Sequence, residues 1–155
     1  MRCALLILAF VALSSFGDSY DRTDFNYRSY KGDSGVGFYT GKICDSINID
    51  HIVSLKDAYE SGASSWSASK KKIFANDRSN HVPSCSRVNT SKGSGRPSDF
   101  LRKSRDGKGL EYEIVRFCEY VKKYYAVKVK YELSFASNDQ KLFCECGLTL
   151  KETKV

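Results

Sequence analysis

Hydrophobic patterning divides the first half of the chain into loop, strand and helix. Residues 19–41 are rich in Tyr, Gly, Ser and Asp without a regular period, which predicts loops and short extended pieces. Apolar residues alternate through residues 43–49 and predict a short strand that delivers Asp50 and His51 at its end. The apolar residues that follow predict a short helix, which Gly62 interrupts.

A second helix is predicted over the segment SASKKKIFA. Ser67 is a suitable N-cap, since its hydroxyl can accept a bond from the first free backbone N–H groups. Helical periodicity directs Ile73 and Phe74 to the core and the lysines of this segment mostly to water.

A second strand and a third helix follow closely. Residues 80–83 supply the strand. Ser84 or Ser86 can cap the helix, which carries Asn89 and Lys92 before two glycines end it.

The C-terminal third of the sequence has the hydrophobic periodicity of helices. Apolar residues recur at three- and four-residue intervals from Leu110 to Tyr125, which predicts an amphipathic helix to about Tyr131. Ser137, with Gln140 three residues later, is a capping-box pattern that opens a last helix. Strands and helices in this order predict an α+β fold in which the C-terminal helices are scaffold.

The first residues predict a secretory signal peptide. Met1 and Arg2 precede the apolar run CALLILAFVALSSF, and small residues favour cleavage near Gly17. The run is too short for a membrane span, so the product is expected to be secreted and extracellular, without a membrane span. About 138 residues remain (155 − 17), enough for one domain.

The charge balance predicts an anionic partner. The formal net charge is +7 and becomes +6 (7 − 1) when Arg2 leaves with the signal peptide. Secreted proteins of this charge bind nucleic acid, sulfated glycan or a bacterial surface. The basic residues that follow Asn89 can hold phosphates without reading sequence; the candidates are Lys92, Arg96, Arg102 and Lys103.

The cysteines predict a disulfide-stabilised fold. Five of the six remain after the signal peptide, so one thiol is left over in an oxidising compartment. Cys44 and Cys85 are expected to pair, because each is close in sequence to a polar residue of the candidate site described next. Cys118 then pairs with Cys144 or Cys146, of which we take Cys146 as the disulfide residue. A zinc site at the Cys-x-Cys pair is the alternative, although no second pair accompanies it.

Four polar residues form the candidate site. Asp50, His51, Asn80 and Asn89 supply a carboxylate, an imidazole and two carboxamides. Phosphodiester hydrolysis needs a group that deprotonates water and a cation that stabilises charge on the phosphoryl oxygens. Histidine suits the first task near neutral pH, and a magnesium ion held by oxygen ligands suits the second.

These residues resemble a known nuclease family. The string DHIV, followed by SNHVPSCSRVNTSKG, is similar to the HNH, or ββα-metal, nucleases, including the nine-residue step from Asn80 to Asn89. The longer string from Asp50 to Leu101 resembles a secreted HNH endonuclease family related to the C-terminal domain of GmrSD-type restriction endonucleases. The resemblance implies a ββα-metal core at about 43–101, with additional C-terminal helices over 110–150, within a single domain spanning 18–155.

The resemblance also implies a role for each site residue. His51 is the general base that activates water, Asp50 and Asn89 are metal ligands, and Asn80 holds the loop containing His51 through backbone hydrogen bonds. The cation is magnesium, with manganese as an alternative. Arg22 matches an arginine near the start of those relatives, which implies a phosphate contact.

The sequence therefore predicts a secreted, metal-dependent endonuclease of low sequence specificity. DNA is the preferred substrate and RNA the alternative, and no protein partner is evident. The competing hypothesis is a catalytically silent cationic protein that sequesters nucleic acid or sulfated glycan; the net charge motivates it, while the intact site residues count against it.

Overall fold

The computed structural model of the protein describes residues 19–100 and 112–150. The predicted signal peptide at 1–17 lies outside the described residues. None of the helices within the described part of the chain is long and apolar enough to cross a bilayer.

The fold is mixed α+β with two small antiparallel sheets. Strands β1 (Lys31–Gly32), β4 (Ile47–His51) and β5 (His81–Cys85) form one sheet in the order β1-β4-β5. Strands β2 (Gly35–Val36) and β3 (Ile43–Cys44) form the other. The strand expected at 43–49 is therefore two strands, one in each sheet.

Six α-helices surround the sheets in the described ranges. They are α1 (Leu55–Glu60), α2 (Ala68–Ala75), α3 (Ser86–Lys92), α4 (Pro97–Phe100), α5 (Phe117–Lys130) and α6 (Gln140–Glu145). Three short 3-10 turns lie at Arg22–Phe25, Ala63–Ser65 and Arg78–Asn80. Residues from α5 and α6 are buried in the same apolar cluster as those of α1, α2 and α3, so the C-terminal helices complete the core around the first half.

Several local predictions are confirmed and others are wrong. Ser67 caps α2 by accepting the Lys70 N–H, as expected. The cap of α6, however, is Asp139, which accepts the Lys141 N–H, and not the Ser137 capping box. Helix α3 begins after Cys85, without a side-chain cap bond.

The long C-terminal helix begins later than its periodicity suggested. Leu110 lies outside the described residues, and α5 starts only at Phe117. The segment just before α5 is not helical, and it contacts the first half of the chain. The backbone N–H of Val115 donates to the carbonyl of Tyr39 at 3.0 Å.

Two disulfides join distant segments. Cys44 bonds to Cys85 and Cys118 to Cys146, which are the pairs expected from the sequence. Among the described cysteines, Cys144 remains as an exposed free thiol. The first disulfide links the two sheets, and the second ties α5 to the residue that follows α6.

A buried charge network joins α1 to α5. The Asp57 carboxylate, 2% exposed, accepts bonds from Arg96 Nε at 2.8 Å and from the Tyr124 hydroxyl at 2.6 Å. The Lys128 ammonium lies 3.8 Å from the same carboxylate and donates to Ser61 Oγ at 2.8 Å. Burial lowers the pKa of Lys128 to about 8, although Asp57 acts in the opposite direction.

We expect Asp57→Asn to lower the free energy of unfolding by roughly 3–5 kcal/mol, because it leaves the buried Lys128 ammonium without its carboxylate and removes one of the two acidic partners of Arg96. Urea denaturation followed by circular dichroism measures this change. Asp45→Asn removes an exposed carboxylate and serves as the control, with an expected change within about 0.5 kcal/mol. Equal changes for both variants would contradict a stabilising role for the network.

Candidate active site

The antiparallel pair β4–β5 places Asp50 and His51 on different sides of the sheet. Asp50 is opposite Val82 and His51 is opposite His81. Because side chains alternate along a strand, Asp50 faces α3 while the His51 imidazole meets that of His81, with ring centroids 4.8 Å apart. Both Asp50 and His51 are buried, at 5% and 8% exposure.

The Asp50 carboxylate has two partners. The Tyr39 hydroxyl donates to it at 2.5 Å, and the Lys92 ammonium lies 2.9 Å from the same oxygen. Lys92 also donates to the backbone carbonyl of His51 at 2.8 Å. The last residue of α3 is thus anchored to both residues at the end of β4.

The hydrogen bonds of His51 fix its tautomer. Its Nε2 lies 2.7 Å from the carbonyl oxygen of Ala75, the last residue of α2. A carbonyl can only accept, so Nε2 carries the proton and Nδ1 is the basic nitrogen of the neutral ring. Burial lowers the pKa of His51 to about 4, with smaller contributions in the same direction from His81 and Lys92, while the Ala75 and Asp50 contacts oppose them. The imidazole is therefore neutral at pH 7.

The N-terminal segment covers one side of this imidazole. The Tyr27 ring meets the His51 ring edge to face at 5.7 Å. The guanidinium of Arg22 lies 4.6 Å from the centre of the same Tyr27 ring. Arg22, the predicted phosphate-binding residue, therefore lies close to the candidate site. The residue is exposed at the surface.

Asn80 braces the chain directly after His51. Its side chain is fully buried, its Oδ1 accepts the Val53 N–H at 2.8 Å, and its Nδ2 donates to the Val53 carbonyl at 3.1 Å. Its backbone carbonyl also accepts the Ile52 N–H at 2.8 Å. These bonds connect Asn80 to the backbone of the two residues that follow His51.

Asn89 lies on the helix that faces Asp50. It is half-buried and one turn before Lys92 on α3, so the two side chains share a helix face. Lys92 reaches Asp50 from that face, and the three-residue spacing puts Asn89 on the same face of α3. On β4, Asn48 shares the side of Asp50, and its buried Oδ1 has no hydrogen-bond partner among the described residues.

These side chains are of the types that bind a hard divalent cation. Asp50 and Asn48 on β4 and Asn89 on α3 supply one carboxylate and two amide oxygens; the Asn48 oxygen has unused acceptor capacity, whereas both Asp50 oxygens contact the Lys92 ammonium. Across residues 19–100 and 112–150, no group of three or more His, Cys, Asp or Glu side chains forms a metal cage. Magnesium binds at sites with few protein ligands, since it keeps several waters and takes substrate oxygens as ligands.

The predicted phosphate-binding residues lie in different environments. Lys92 is buried against Asp50 and is not the surface cation that we expected. Arg96 pairs with Asp57 and with Glu60 Oε2 at 2.7 Å, so its guanidinium braces the fold. Arg102 and Lys103 lie outside the described residues.

Sequence reasoning missed three partners of the site: Lys92 and Tyr39 at Asp50, and the Ala75 carbonyl at His51. The three-residue step from Asn89 to Lys92 on a helix predicts a shared face, which is the signal that could have placed Lys92 next to Asp50. Tyr39 and the Ala75 carbonyl gave no such signal, because neither residue type nor spacing marks them.

The fold is a disulfide-stabilised α+β domain in which buried polar residues gather at the end of β4. The family model for the C-terminal domain of GmrSD restriction endonucleases matches residues 9–146, and the chain belongs to this family. An uncharacterized secreted protein of Arthroderma benhamiae is 31% identical over 103 residues, which cover 65% of this chain and 46% of the relative. The chain thus spans about half the length of that curated relative. No solved structure matches the chain.

We expect Asn80→Ala to lower the free energy of unfolding by about 2–5 kcal/mol, because it leaves the buried N–H and carbonyl of Val53 without partners. Chemical denaturation measures this change. Ser64→Ala, at an exposed position, is the control and should change stability by less than about 0.5 kcal/mol. An Asn80→Ala protein as stable as the parent would show that the brace contributes nothing.

Proposed function

We propose that the protein is a secreted HNH endonuclease whose β4, β5 and α3 form a ββα-metal core. The observation that carries the proposal is the placement of Asp50 and His51 at the end of β4, opposite β5, with Asp50 facing the helix that bears Asn89 and His51 on the other side of the sheet. Membership of the GmrSD C-terminal domain family supports a nuclease activity. Secretion is supported by the name of the fungal relative and by two disulfides.

His51 is the proposed general base. Its ring is neutral at pH 7, and its Nε2–H is held by the Ala75 carbonyl, which leaves Nδ1 to accept a proton. The proton of the attacking water passes to Nδ1 while the water oxygen bonds to phosphorus and the phosphorus–leaving oxygen bond breaks. The Tyr27 ring restricts rotation of the imidazole and keeps Nδ1 in one direction.

Asp50 and Asn89 are the proposed ligands of a divalent cation, magnesium or manganese. When bound, the cation neutralises charge on the phosphoryl oxygens and at the leaving oxygen. Lys92 holds the Asp50 carboxylate through its ammonium, and Tyr39 fixes the same carboxylate from the other side. The ligand thus has a single orientation before any cation binds.

Nucleic acid is the proposed substrate, with DNA preferred and RNA as the alternative. The net charge, +7 for the full sequence and +6 without Arg2 (7 − 1), favours association with a polyanion of any sequence. Little sequence specificity is expected, because contacts from cationic side chains to phosphates do not distinguish bases.

We expect His51→Ala to lower the rate of plasmid cleavage by about 10²–10⁴-fold, the usual contribution of a general base. Purified protein is incubated with supercoiled plasmid in Mg²⁺, with and without chelator, and nicking is followed on agarose gels. The exposed Lys123→Ala variant is the control and should cleave like the parent. Cleavage that survives chelation, or that His51→Ala retains in full, would refute the mechanism. Binding without any nicking by the parent would favour the silent cationic protein instead.

We expect Asn89→Ala to weaken Mn²⁺ binding by at least about ten-fold, because it removes one of the few oxygen ligands. Electron paramagnetic resonance of free Mn²⁺ measures the affinity without reference to cleavage. Thr90→Ala, the exposed neighbour on α3, is the matched control. Equal Mn²⁺ affinity for both variants would show that Asn89 is not a ligand of the cation.

A further inference from the structure

A cationic cleft lies between α2 and the edge of the sheet that carries His51. Its volume is about 1020 Å³, and its walls come from the N-terminal segment, β4, α2 and the turn before β5. Arg28, Lys72 and Arg78 line it, together with Tyr30, Ile73 and His81. The proposed catalytic residues account for none of these side chains.

The cations of the cleft face an opening without acidic groups. Its lining contains no Asp or Glu. In the part of the chain that the structure describes, no carboxylate lies within salt-bridge distance of Arg28, Lys72 or Arg78. All three are exposed, in contrast to Lys92 and Arg96, whose charges are compensated within the fold. The cleft is therefore a site of uncompensated positive charge.

Two flat or apolar side chains lie among these cations. Tyr30 is 59% exposed and Ile73 is 60% exposed. Ile73 was expected in the core, and its exposure on α2 instead adds apolar surface to the cleft. A base that stacks on an aromatic ring while its phosphates contact cations is the usual arrangement for unpaired nucleic acid.

The cleft adjoins the proposed base through His81. The Nε2 of His81 lies 3.0 Å from the Ala75 carbonyl oxygen, which also accepts the bond from His51. The two imidazoles are in contact, and His81 forms part of the cleft lining. A strand lying in the cleft would thus contact the side chain that is next to the proposed base.

The walls of the cleft are held together in advance. Asn76, which ends α2, donates through Nδ2 to the Asn26 carbonyl at 3.1 Å and accepts the Arg28 N–H at 3.0 Å. These bonds fix the N-terminal segment against α2. A preformed cleft avoids the ordering cost that a loose surface would incur on binding.

We propose that this cleft binds an unpaired strand of nucleic acid, with phosphates on Arg28, Lys72 and Arg78 and a base stacked on Tyr30. In a duplex the base faces are covered by their neighbours, so Tyr30 and Ile73 would have no ring to contact. The proposal rests on the proposed endonuclease function and specifies its substrate: single-stranded nucleic acid, or the unpaired part of a longer one.

The test measures binding by fluorescence anisotropy, with the parent protein in chelator so that no cleavage interferes. Labelled 12-nucleotide single strands and the matching duplex are titrated over a range of salt concentrations. The cleft variant is Arg28→Gln/Lys72→Gln/Arg78→Gln. The control is Lys122→Gln/Lys123→Gln/Lys141→Gln, which removes three exposed lysines from α5 and α6 and lowers the net charge equally.

We expect the cleft variant to bind the single strand roughly 10- to 100-fold more weakly than the parent. The slope of log K against log salt concentration should also be smaller in magnitude by about 2, because three phosphate contacts contribute about 0.7 each. The control should bind within about three-fold of the parent, because it lacks cleft contacts. Tyr30→Ala should weaken single-strand binding by about ten-fold, through lost stacking, and leave duplex binding unchanged. Val129→Ala, an exposed apolar position on α5, is its control.

Equal losses for the two triple variants would overturn the proposal, since general charge would then explain the binding. Duplex binding that is as tight as single-strand binding, or a Tyr30→Ala variant that loses both equally, would overturn it too. Anisotropy does not depend on catalysis. Normal binding of the single strand, with no cleavage of that strand or of plasmid in Mg²⁺, would therefore refute the proposed function alone, while cleavage with no cleft effect would refute this inference alone.

Discussion

The buried ion pair between Asp50 and Lys92 is the constraint on which the site depends. The Lys92 side chain is fully buried, and its ammonium contacts both the Asp50 carboxylate and the His51 carbonyl. A buried charge that loses its partner costs several kcal/mol, so β4 and the end of α3 are held at one separation. In the proposed metal site, the Asp50 carboxylate therefore has a position that was set during folding. The Tyr39 hydroxyl adds a third fixed contact at the same carboxylate.

The end of α2 sets the second constraint. The last carbonyl groups of a helix lack intrahelical partners, and that of Ala75 is satisfied by two imidazole N–H groups. Strands β4 and β5 and helix α2 thus converge on one oxygen atom. This contact determines the tautomers of His51 and His81. In each ring Nδ1 is the basic nitrogen, because Nε2 donates to a carbonyl at the end of a helix. Asn80 then fixes the two residues after His51, which removes the remaining freedom of the strand end.

The sequence predicted those parts of the structure whose causes are local. Ser67 caps α2 and Gly93 ends α3 at a positive φ of 53°, and each is specified by a residue type within one turn of the helix. The strand end at Asp50-His51 follows from alternation over a few residues. Contacts between distant segments could not be predicted in this way. Arg96 looked like a phosphate ligand because its partner Asp57 lies 39 residues away. Ile73 fitted the helical period of a core residue, but α2 turns that position toward the cleft.

The same helix end links the proposed chemistry to the proposed binding surface. Ala75 orients the two imidazoles, and the next residue, Asn76, holds the N-terminal segment whose Tyr27 ring packs on His51. A shift of α2 by an ångström would therefore rotate the base and reshape the cleft together, and catalytic groups tolerate displacements of only about 0.5 Å. Helix α2 thus couples the position of a nucleic-acid strand in the proposed cleft to the orientation of Nδ1 of His51. The N-terminal segment belongs to the site for the same reason, although its sequence carries no periodic signal.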